Sequence, residues 1–373
     1  MTVFFLDPGI QTFSGHHTNT VFSLSQELRR RGQDVRVVGH RHLAPNVVEA
    51  LGAEPFFSLG TYEVTSTDPI CGPLETLIDG AVMIMGDLRR LNPVPGDVMV
   101  WPTARPHHIV AMGNLLRSWP SPVLSVFTAG FRCAEPESAY WRFACRRLPP
   151  AAPVVLAATA DLMAGDYADV VGRPFVTAPN PHEGRFRDRS GADPVVIGVL
   201  GHQRPAKGTQ LLPQVIRWTR GNARWLVHDS GTDAGPILDD LETLPNVRVV
   251  RSKTTDWQGL LDSCDALLMP YSRTEYERMH SGLVAEAIAC GLPFVIPDAP
   301  ALVEQASEAG CVAYDGDGAE AVTDAVETLL QHFKPLAWAA RSEAARYAER
   351  NGPGRWVDWL MQRAADAGLP GCA

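Results

Sequence analysis

The sequence predicts an α/β protein built from two doubly wound domains, each with a parallel sheet, and three observations support this prediction. Short runs rich in β-branched residues alternate with longer amphipathic runs almost from end to end. That alternation stops once, at residues 178–181, where the polar and aperiodic segment 182–193 follows. The length of 373 residues fits two domains of ordinary size. Strands separated by helices need crossover connections, which make neighbouring strands parallel.

The first domain is predicted to cover residues 1–181. A buried strand at residues 3–6 is followed by a loop and by a helix over residues 16–31, in which Val21, Leu24 and Leu28 have helical spacing. Gly32 ends this helix. Further strands are predicted at residues 34–38, 98–101, 123–127, 154–157 and 175–177.

The second domain is predicted to cover residues 193–354. Its strands are predicted at residues 195–200, 225–228, 247–250, 266–269, 293–296 and 311–313. A helical tail over residues 335–367 is broken near Gly352-Pro353-Gly354. Two Rossmann-like domains of this kind are expected to face each other across a cleft and to bind ligands at the carboxyl ends of their strands. Site residues are therefore expected directly after the predicted strands.

Composition excludes several classes of protein. The 33 basic and 42 acidic residues give a formal net charge of −9, whereas a general nucleic-acid binder needs an excess of basic residues to neutralise phosphates. The seven cysteines are scattered and never spaced as C-x-x-C, which predicts free thiols rather than a disulfide framework or a zinc ribbon. The apolar run at residues 3–6 is too short for a signal peptide, and no apolar stretch is long enough to span a membrane. We expect a cytoplasmic protein with at most peripheral membrane contact.

The first segment that indicates chemistry follows the strand at residues 195–200. Gly201 opens a turn that contains Arg204 and Lys207-Gly208, and the amphipathic run 209–218 comes next. Backbone N–H groups at the start of a helix favour phosphate, and cations beside them add charge-assisted hydrogen bonds. The alternative is an ordinary loop between a strand and a helix with exposed cations.

The second segment is the start of a predicted helix at Ser281-Gly282, with Glu286 about one turn further along. Free amides at the helix start favour a second anion, and the Glu286 carboxylate could accept hydrogen bonds from a ribose diol. The alternative is that Glu286 only interacts favourably with the helix dipole.

Taken in this order, the two segments resemble the C-terminal domain of GT-B glycosyltransferases, specifically the retaining family-4-like group. Lys207-Gly208 matches the end of that group's G-R-L-x-x-x-K-G sequence, and Glu286-Ala-Ile-Ala-Cys-Gly-Leu-Pro-Phe-Val295 matches its E-A-M-A-C-G-x-P-V sequence. In the first domain, Phe13-Ser-Gly15-His-His and the segment 31–38 look like the group's glycine loop and G-H-x-V strand. The resemblance covers nearly the whole chain.

The resemblance implies a donor that is a nucleotide-diphosphate sugar, bound as a co-substrate and mainly by the second domain, with no other cofactor and no metal. Lys207 and Arg204 would neutralise the diphosphate as it leaves, and Glu286 would hold the ribose hydroxyls. The amides of Ser281 and Gly282 would meet the distal phosphate. Gly15 would let its backbone approach the donor or acceptor. The remaining candidate donor-binding residues are His16, Gly201, His202, Arg251, Tyr271 and Leu283. Transfer with retention of configuration is also what the resemblance implies.

Three positions depart from the family pattern. Arg278 stands eight residues before Glu286, where the first glutamate of the family's E-x7-E is expected, and Glu277 is one position away. We retain Glu277 and Arg278 beside Lys207 and Arg204 as candidate catalytic residues. His202 stands where the family has an arginine. At residues 127–128, where the family often has a histidine, the sequence has none.

Histidines mark the expected acceptor side. His17 follows His16 at the start of the first predicted helix, and His107-His108 follow a predicted central strand. We predict that His17, His107 and His108 bind the acceptor. The alternative for each is an ordinary position at the start of a helix on the surface.

Metal-binding patterns are weak in this sequence. One D-x-D pair occurs, Asp315-Gly-Asp317, of the kind that holds a divalent ion in GT-A enzymes. It follows the last predicted strand and precedes Gly318, so we interpret it as a solvated turn. No pair of histidines or cysteines has zinc-ligand spacing.

The last predicted helix, within residues 355–373, has an apolar stripe formed by Trp356, Trp359 and Leu360. In GT-B proteins the last helix returns to the first domain, and the stripe fits that packing. A membrane-facing stripe is the alternative.

The resulting hypothesis is a hexosyltransferase-type glycosyltransferase of polysaccharide biosynthesis in a bacterial cytoplasm, with a glycan or lipid-linked acceptor. Two alternatives remain: a nucleotide-sugar epimerase of GT-B fold, and a non-catalytic protein that binds nucleotide sugars.

Overall fold

The structure, a computed structural model, describes residues 1–12, 16–119, 122–134, 137–187, 189, 191, 193–231, 234–251, 256–306 and 309–369, without the side chain of His16. The chain divides into two compact units. The first comprises Met1–Pro181 together with Pro353–Ala373, and the second comprises His182–Gly352. None of the helices in the described ranges is long and apolar enough to cross a membrane.

The first unit is a seven-stranded parallel sheet with helices between its strands. Its elements are β1 (Thr2–Leu6), α1 (His16–Arg30), β2 (Asp34–His40), α2 (Pro45–Leu51), β3 (Glu54–Phe57), α3 (Gly72–Leu88), β4 (Val98–Ala104), α4 (Pro106–Leu115), β5 (Leu124–Ala129), α5 (Glu137–Arg147), β6 (Val154–Ala158), α6 (Asp161–Val171) and β7 (Val176–Thr177). The strand order is β3-β2-β1-β4-β5-β6-β7. The central strands β4 and β5 are buried along almost their whole length because both faces of a parallel sheet are covered.

The second unit is a six-stranded sheet whose strand pairs are likewise all parallel. Its elements are β8 (Val195–Val199), two 3₁₀ turns (Pro205–Lys207 and Thr209–Leu211), α7 (Leu212–Trp218), β9 (Ala223–Asp229), α8 (Gly235–Glu242), β10 (Val247–Arg251), α9 (Trp257–Asp262), β11 (Ala266–Leu268), α10 (Arg273–Tyr276), α11 (Gly282–Ala289), β12 (Phe294–Pro297), α12 (Pro300–Ala306), β13 (Cys311–Tyr314), α13 (Ala319–Gln331) and α14 (Phe333–Asn351). The strand order is β10-β9-β8-β11-β12-β13.

The predicted α/β class with two doubly wound parallel sheets is confirmed, and each predicted strand is present. The strand β3 was missed because it is short and contains Pro55, which weakens the strand pattern. In the run 209–218 a helix begins only at Leu212. Gly208 is left-handed with φ 70°, and a 3₁₀ turn follows it before α7 starts.

The last helix, α15 (Pro353–Asp366), belongs to the first unit and packs on α1. The Trp356 ring stacks on Phe5 with 6.0 Å between centroids, and Leu360 is buried in the same core. Arg31, at the end of α1, forms an ion pair with Asp358 and donates a hydrogen bond to the Gly354 carbonyl.

In each sheet the direction of strand succession reverses once, between β1 and β4 in the first unit and between β8 and β11 in the second. Doubly wound sheets bind ligands at the carboxyl ends of the strands beside such a reversal. A ligand site is therefore expected at that point of each unit.

Candidate functional site

The loop after β8 is held in place by the buried side chain of Gln203. Its Nε2 donates to the His228 carbonyl at 2.9 Å, and its backbone N–H donates to the Asp229 carboxylate at 2.9 Å. Gly201 at the start of the loop has φ 105°, and its N–H donates to His228 Nδ1 at 3.3 Å. A backbone with these anchors is preorganised, so a ligand that binds there does not have to order it.

Gly208 lets this loop pack directly on the end of β11. A Cβ atom at Gly208 would lie 1.7 Å from the carbonyl oxygen of Pro270, and the residue is left-handed. The Ser272 N–H donates to the Ala206 carbonyl at 3.0 Å, which ties the two segments together. Only glycine satisfies both requirements here.

This packing places Lys207 between the loop and Tyr271. Its Nζ lies 5.7 Å from the centroid of the Tyr271 ring, and a Cβ atom on Gly201 would lie 3.1 Å from it. Burial and the neighbouring Arg204 lower the pKa of Lys207 to about 8, while Glu286 and Asp229 act in the opposite direction. The ammonium group is therefore largely charged at pH 7 and poorly hydrated, which strengthens its attraction for an anion.

Glu286 on α11 is the acidic counterpart of Lys207. Burial raises the pKa of Glu286 to about 7, and the Trp257 indole and the Lys207 charge oppose this shift. Two oppositely charged groups with shifted pKa values at the carboxyl end of a sheet are typical of a functional site. The structure thus brings Lys207, Arg204 and Glu286 into one electrostatic cluster.

The start of α11 differs in one detail from what the sequence predicted. The Ser281 N–H is already bonded to Gln305 Oε1 at 2.8 Å, and Gln305 Nε2 donates to the Ser281 carbonyl at 2.8 Å. The first amides of the helix proper are those of Gly282 and Leu283, which an α-helix leaves without intrahelical acceptors. The Leu283 side chain is buried in the core.

Tyr271 and Tyr276 form a stacked pair beside the cluster, with 4.2 Å between ring centroids. The Tyr271 hydroxyl lies 3.4 Å from Ser281 Oγ. Burial raises the pKa of Tyr276, and the adjacent Arg204 guanidinium opposes this rise. Sequence reasoning missed Tyr276, because an aromatic residue in a short loop helix has no pattern of its own.

The other residues predicted for the second domain lie around this cluster at different depths. Glu277 and Arg278 are exposed, directly after α10. His202 is exposed, and its ring lies against Gly231. Arg251 ends the edge strand β10 and forms ion pairs with Asp239 at 2.7 Å and Glu242 at 3.1 Å, so its charge is already used within the fold.

In the first unit, the residues after β1 form a chain of hydrogen bonds. His17 Nδ1 lies 2.8 Å from both carboxylate oxygens of Asp7, and its Nε2 lies 2.8 Å from the Tyr62 hydroxyl. Asp7 also accepts from the Gly9 N–H at 2.9 Å. These contacts fit an imidazole whose Nδ1–H donates to Asp7 and whose Nε2 accepts from Tyr62. Asp7 directly follows a predicted strand, so the sequence did contain the information to find it.

His107 and His108 differ from each other. His108 is fully buried, stacks on Trp101 at 4.5 Å, and accepts at Nδ1 from the Arg105 N–H that caps α4. Because His108 is fully buried, it has no surface that an acceptor could contact, and it contributes to the packing of the fold instead. Burial and Arg105 lower the pKa of His107 to about 3, and its side chain lines a cavity.

This cavity lies wholly in the first unit and has a volume of about 490 Å³. Its lining residues are 61–64, 66–69, 72–73, 76–77, 105–107, 137 and 140. It lies beyond the ends of β3 and β4 and at the start of α5, and the Tyr62 side chain connects it to His17. The volume is within the range of small-molecule sites.

The glycine loop and the D-x-D pair that the sequence analysis named add little to the description of the sites. Gly15 and the side chain of His16 lie outside the described residues. Asp315 lies in an exposed turn after β13 and forms an ion pair with Arg273 at 2.6 Å. Within the described ranges, no group of three or more His, Cys, Asp or Glu side chains could hold a metal ion.

Residues 194–332 match the family described as glycosyl transferases group 1, which confirms the resemblance to glycosyltransferases for this segment. No curated protein sequence matches the chain.

Solved structures match almost the whole chain at low identity. Alr3699/HepE of Anabaena, solved with UDP, has a TM-score of 0.67 at 13% identity over 98% of this chain and 100% of its own. Sucrose-phosphate synthase of Thermosynechococcus elongatus has a TM-score of 0.69 at 12% identity, covering 98% and 99%. UDP-GlcNAc 2-epimerase of Neisseria meningitidis, bound to UDP-GlcNAc, has a TM-score of 0.59 at 13% identity, covering 98% and 99%. The fold is therefore the GT-B fold.

Proposed function

We propose that the protein transfers a sugar from a nucleotide-diphosphate sugar to an acceptor hydroxyl, starting from the match of residues 194–332 to the family described as glycosyl transferases group 1. The observation that carries this proposal is the cluster of Lys207, Arg204 and Glu286 at the reversal point of the second sheet. Fold likeness alone fits several chemistries, whereas two cations in the loop after β8, together with the first amides of α11, fit a diphosphate in particular.

The donor would bind with its diphosphate at Lys207 and Arg204 and with its ribose hydroxyls at Glu286. When the bond between the anomeric carbon and the phosphate oxygen breaks, the electron pair stays on the diphosphate. Lys207 and Arg204 stabilise that increase in negative charge, which lowers the barrier without a metal ion. The acceptor oxygen then bonds to the anomeric carbon, and its proton passes to the leaving diphosphate. Retention of configuration is part of the proposal because the segment resembles a retaining group.

The acceptor would bind in the first unit, near His17 and the cavity that Tyr62 and His107 line. A glycan or a lipid-linked glycan in a bacterial cytoplasm, with at most peripheral membrane contact, completes the proposal. Exposed Glu277 and Arg278 are kept as candidate catalytic residues because they follow Tyr276, which lies against Arg204.

Thermal shifts of the whole chain against UDP, GDP, ADP, CMP and their sugar conjugates test donor binding. A nucleotide at about one hundred times its dissociation constant stabilises the protein by about 2.7 kcal/mol, which gives a clear shift. The variant Lys207→Ala is expected to bind the same nucleotide at least about tenfold more weakly, because a charge-assisted contact contributes about 1.5–3 kcal/mol. Lys334→Ala, which removes an exposed lysine on α14, is the matched control. Equal binding by both variants would contradict the proposal.

An epimerase is the second candidate, because the fold matches a nucleotide-sugar 2-epimerase over nearly the whole chain. An epimerase converts the donor into an isomer without an acceptor, whereas a transferase only hydrolyses it slowly. NMR of the nucleotide sugar after incubation with the protein alone separates the two. An isomer in place of free sugar would favour the epimerase, and binding with neither product would indicate a non-catalytic protein.

A further inference from the structure

The charged residues that line the cavity of the first unit determine which ligands it can bind. Four charged residues are among its described lining residues, Glu63, Asp68, Arg105 and Glu137. Three of these carry carboxylates and one carries a guanidinium group. His107 does not add a cation, because burial keeps its imidazole neutral.

The guanidinium group of Arg105 is already engaged. Its Nη2 lies 3.1 Å from Glu137 Oε1, and the group lies over the Phe131 ring at 5.3 Å from the centroid. An anionic ligand would therefore have to compete with Glu137 for this charge. Arg105 and Glu137 start neighbouring helices, so the pair is fixed by two elements of the fold.

The remaining carboxylates accept hydrogen bonds from backbone N–H groups. Asp68 accepts from the N–H groups of Ile70 at 2.8 Å and Cys71 at 2.7 Å, and these bonds lower the pKa of Asp68. Glu63 accepts from the Gly60 N–H at 2.9 Å. Both residues are exposed, and their negative charges would repel a phosphate or carboxylate that entered the cavity.

The uncharged groups of the cavity are suited to a hydroxylated ligand. His107 is 5% exposed, and its Nε2 has no hydrogen-bond partner within the described part of the chain. Tyr62 presents a hydroxyl whose position is fixed by His17 and Asp7. Leu77, Pro106 and the Tyr140 ring supply apolar surface of the kind that covers the faces of sugar and phenyl rings.

We propose that this cavity binds the acceptor and that the part of the acceptor which enters it is hydroxylated and carries neither phosphate nor carboxylate. The proposal rests on the transferase function proposed above. It narrows the acceptor class to neutral glycosides, and it excludes sugar phosphates, uronic acids and lipid diphosphates as the group bound in the cavity.

Two ligands of similar size, one neutral and one with a carboxylate, test the proposal with the whole chain. Phenyl β-glucoside and phenyl β-glucuronide differ by a hydroxymethyl and a carboxylate group, and ligand-observed NMR gives the affinity of each without a donor. The glucoside is expected to bind in the millimolar range and the glucuronide at least about tenfold more weakly. Equal or tighter binding of the glucuronide overturns the proposal, and so does a glucoside that does not bind.

A cavity variant and a matched control show where the glucoside binds. Val64→Trp places an indole in the cavity, whereas Val82→Trp adds one to the exposed outer face of α3, away from the lining residues. The first is expected to lower glucoside affinity at least about fivefold and the second to leave it unchanged. Glucoside affinity that is unchanged in Val64→Trp overturns the assignment of the cavity.

A charge variant tests the reason for the selectivity. Glu137→Gln removes the partner of Arg105 and is expected to improve glucuronide binding several-fold relative to glucoside binding measured on the same protein. No change for the glucuronide contradicts the electrostatic argument. Nucleotide binding measured on the same samples keeps the two proposals apart, because a protein that binds no nucleotide fails the transferase proposal whatever the glycosides do.

Discussion

The two units place their candidate sites at the same point of the same topology but equip them with opposite charges. In the second unit a lysine, an arginine and helix amides follow β8 and β11, and Glu286 and Asp229 carry the opposing charges. In the first unit Asp7 and His17 follow β1, and the nearby cavity has three carboxylates around one paired guanidinium. The fold thus determines the position of each site, and the side chains determine which ligand each site can bind.

This difference in charge suggests that the two units bind different ligands. A site for a diphosphate has to compensate two negative charges, and the second unit has the cations to do so. A site that offers mainly carboxylates, a neutral imidazole and tyrosine hydroxyls is suited to a neutral polyol. Variants of matched type in the two units should therefore affect different ligands.

The largest effect is expected at Gly208. Gly208→Ala would bring a methyl group to within 1.7 Å of the Pro270 carbonyl oxygen in a left-handed backbone, so the loop has to move. We expect a loss of about 4 kcal/mol in the free energy of unfolding of the second unit and no detectable nucleotide binding.

Gly172→Ala in the first unit is its control. Gly172 is also left-handed, with φ 69°, but a Cβ atom added there would meet no described atom within 4 Å, so only the backbone cost of about 1 kcal/mol remains. Urea unfolding measures both variants. Similar losses in the two would show that close packing on Pro270 is unimportant.

The next effect is expected at Asp7. Asp7→Asn leaves the His17 imidazole without its charged acceptor in a buried position, which should cost about 3 kcal/mol of stability. Transfer to the acceptor should fall at least about tenfold with nucleotide affinity unchanged. Asp97→Asn removes another buried carboxylate, which accepts from Thr2 and Val94, and serves as the control for stability alone. A loss of nucleotide binding in Asp7→Asn would contradict the assignment of the units.

The sequence predicted the two sites to different extents for a physical reason. In the second unit Gly201, Lys207 and Gly208 lie within one loop, and Ser281, Gly282 and Glu286 lie within about one turn of a helix. A chain segment this short has few conformations, so its residue types alone indicate the chemistry. The strands were predicted for a similar reason, since each of them is a short run rich in apolar and β-branched residues within one segment of the chain.

The site of the first unit joins residues that are distant in the chain. Asp7, His17 and Tyr62 come from three separate segments, and Tyr62 lies in a loop without a periodic pattern. Their contact depends on how β1, α1 and the segment after β3 pack, which no local pattern encodes. The hydrogen bond that occupies the Ser281 amide and the burial of His108 are likewise results of packing.

A stabilising substitution is expected at Glu286. The fold raises the pKa of this carboxyl from 4.5 to about 7, so the folded state holds the proton more tightly than the unfolded chain does. Stability that is present at pH 4.5 is therefore lost as the pH rises to about 7. Glu286→Gln should remove this loss and raise the free energy of unfolding at pH 8 by about 1–2 kcal/mol, while nucleotide affinity falls.

Unfolding in urea at pH 5 and pH 8 measures this effect, with Glu320→Gln, an exposed glutamate in the first turn of α13, as the control. The control is expected to change stability by less than about 0.5 kcal/mol at either pH. A Glu286→Gln protein that is less stable than the wild type at pH 8 would show that the charged carboxylate is needed by the fold itself.

The smallest effect is a pH dependence of donor affinity through Lys207. Because the pKa of this ammonium group is lowered from 10.5 to about 8, the apo site loses its charge as the pH rises through 8. The affinity for a nucleotide-diphosphate sugar, which has no titrating phosphate in this range, should fall up to about tenfold between pH 7 and pH 9. Lys207→Arg keeps a permanent charge and should bind with little pH dependence over the same interval.

Calorimetric titration of both proteins at three pH values measures this, and equal slopes for the two would assign the dependence to a group other than Lys207. Binding of the neutral glycoside in the first unit serves as the control, because it does not involve Lys207 and should stay constant over the same interval.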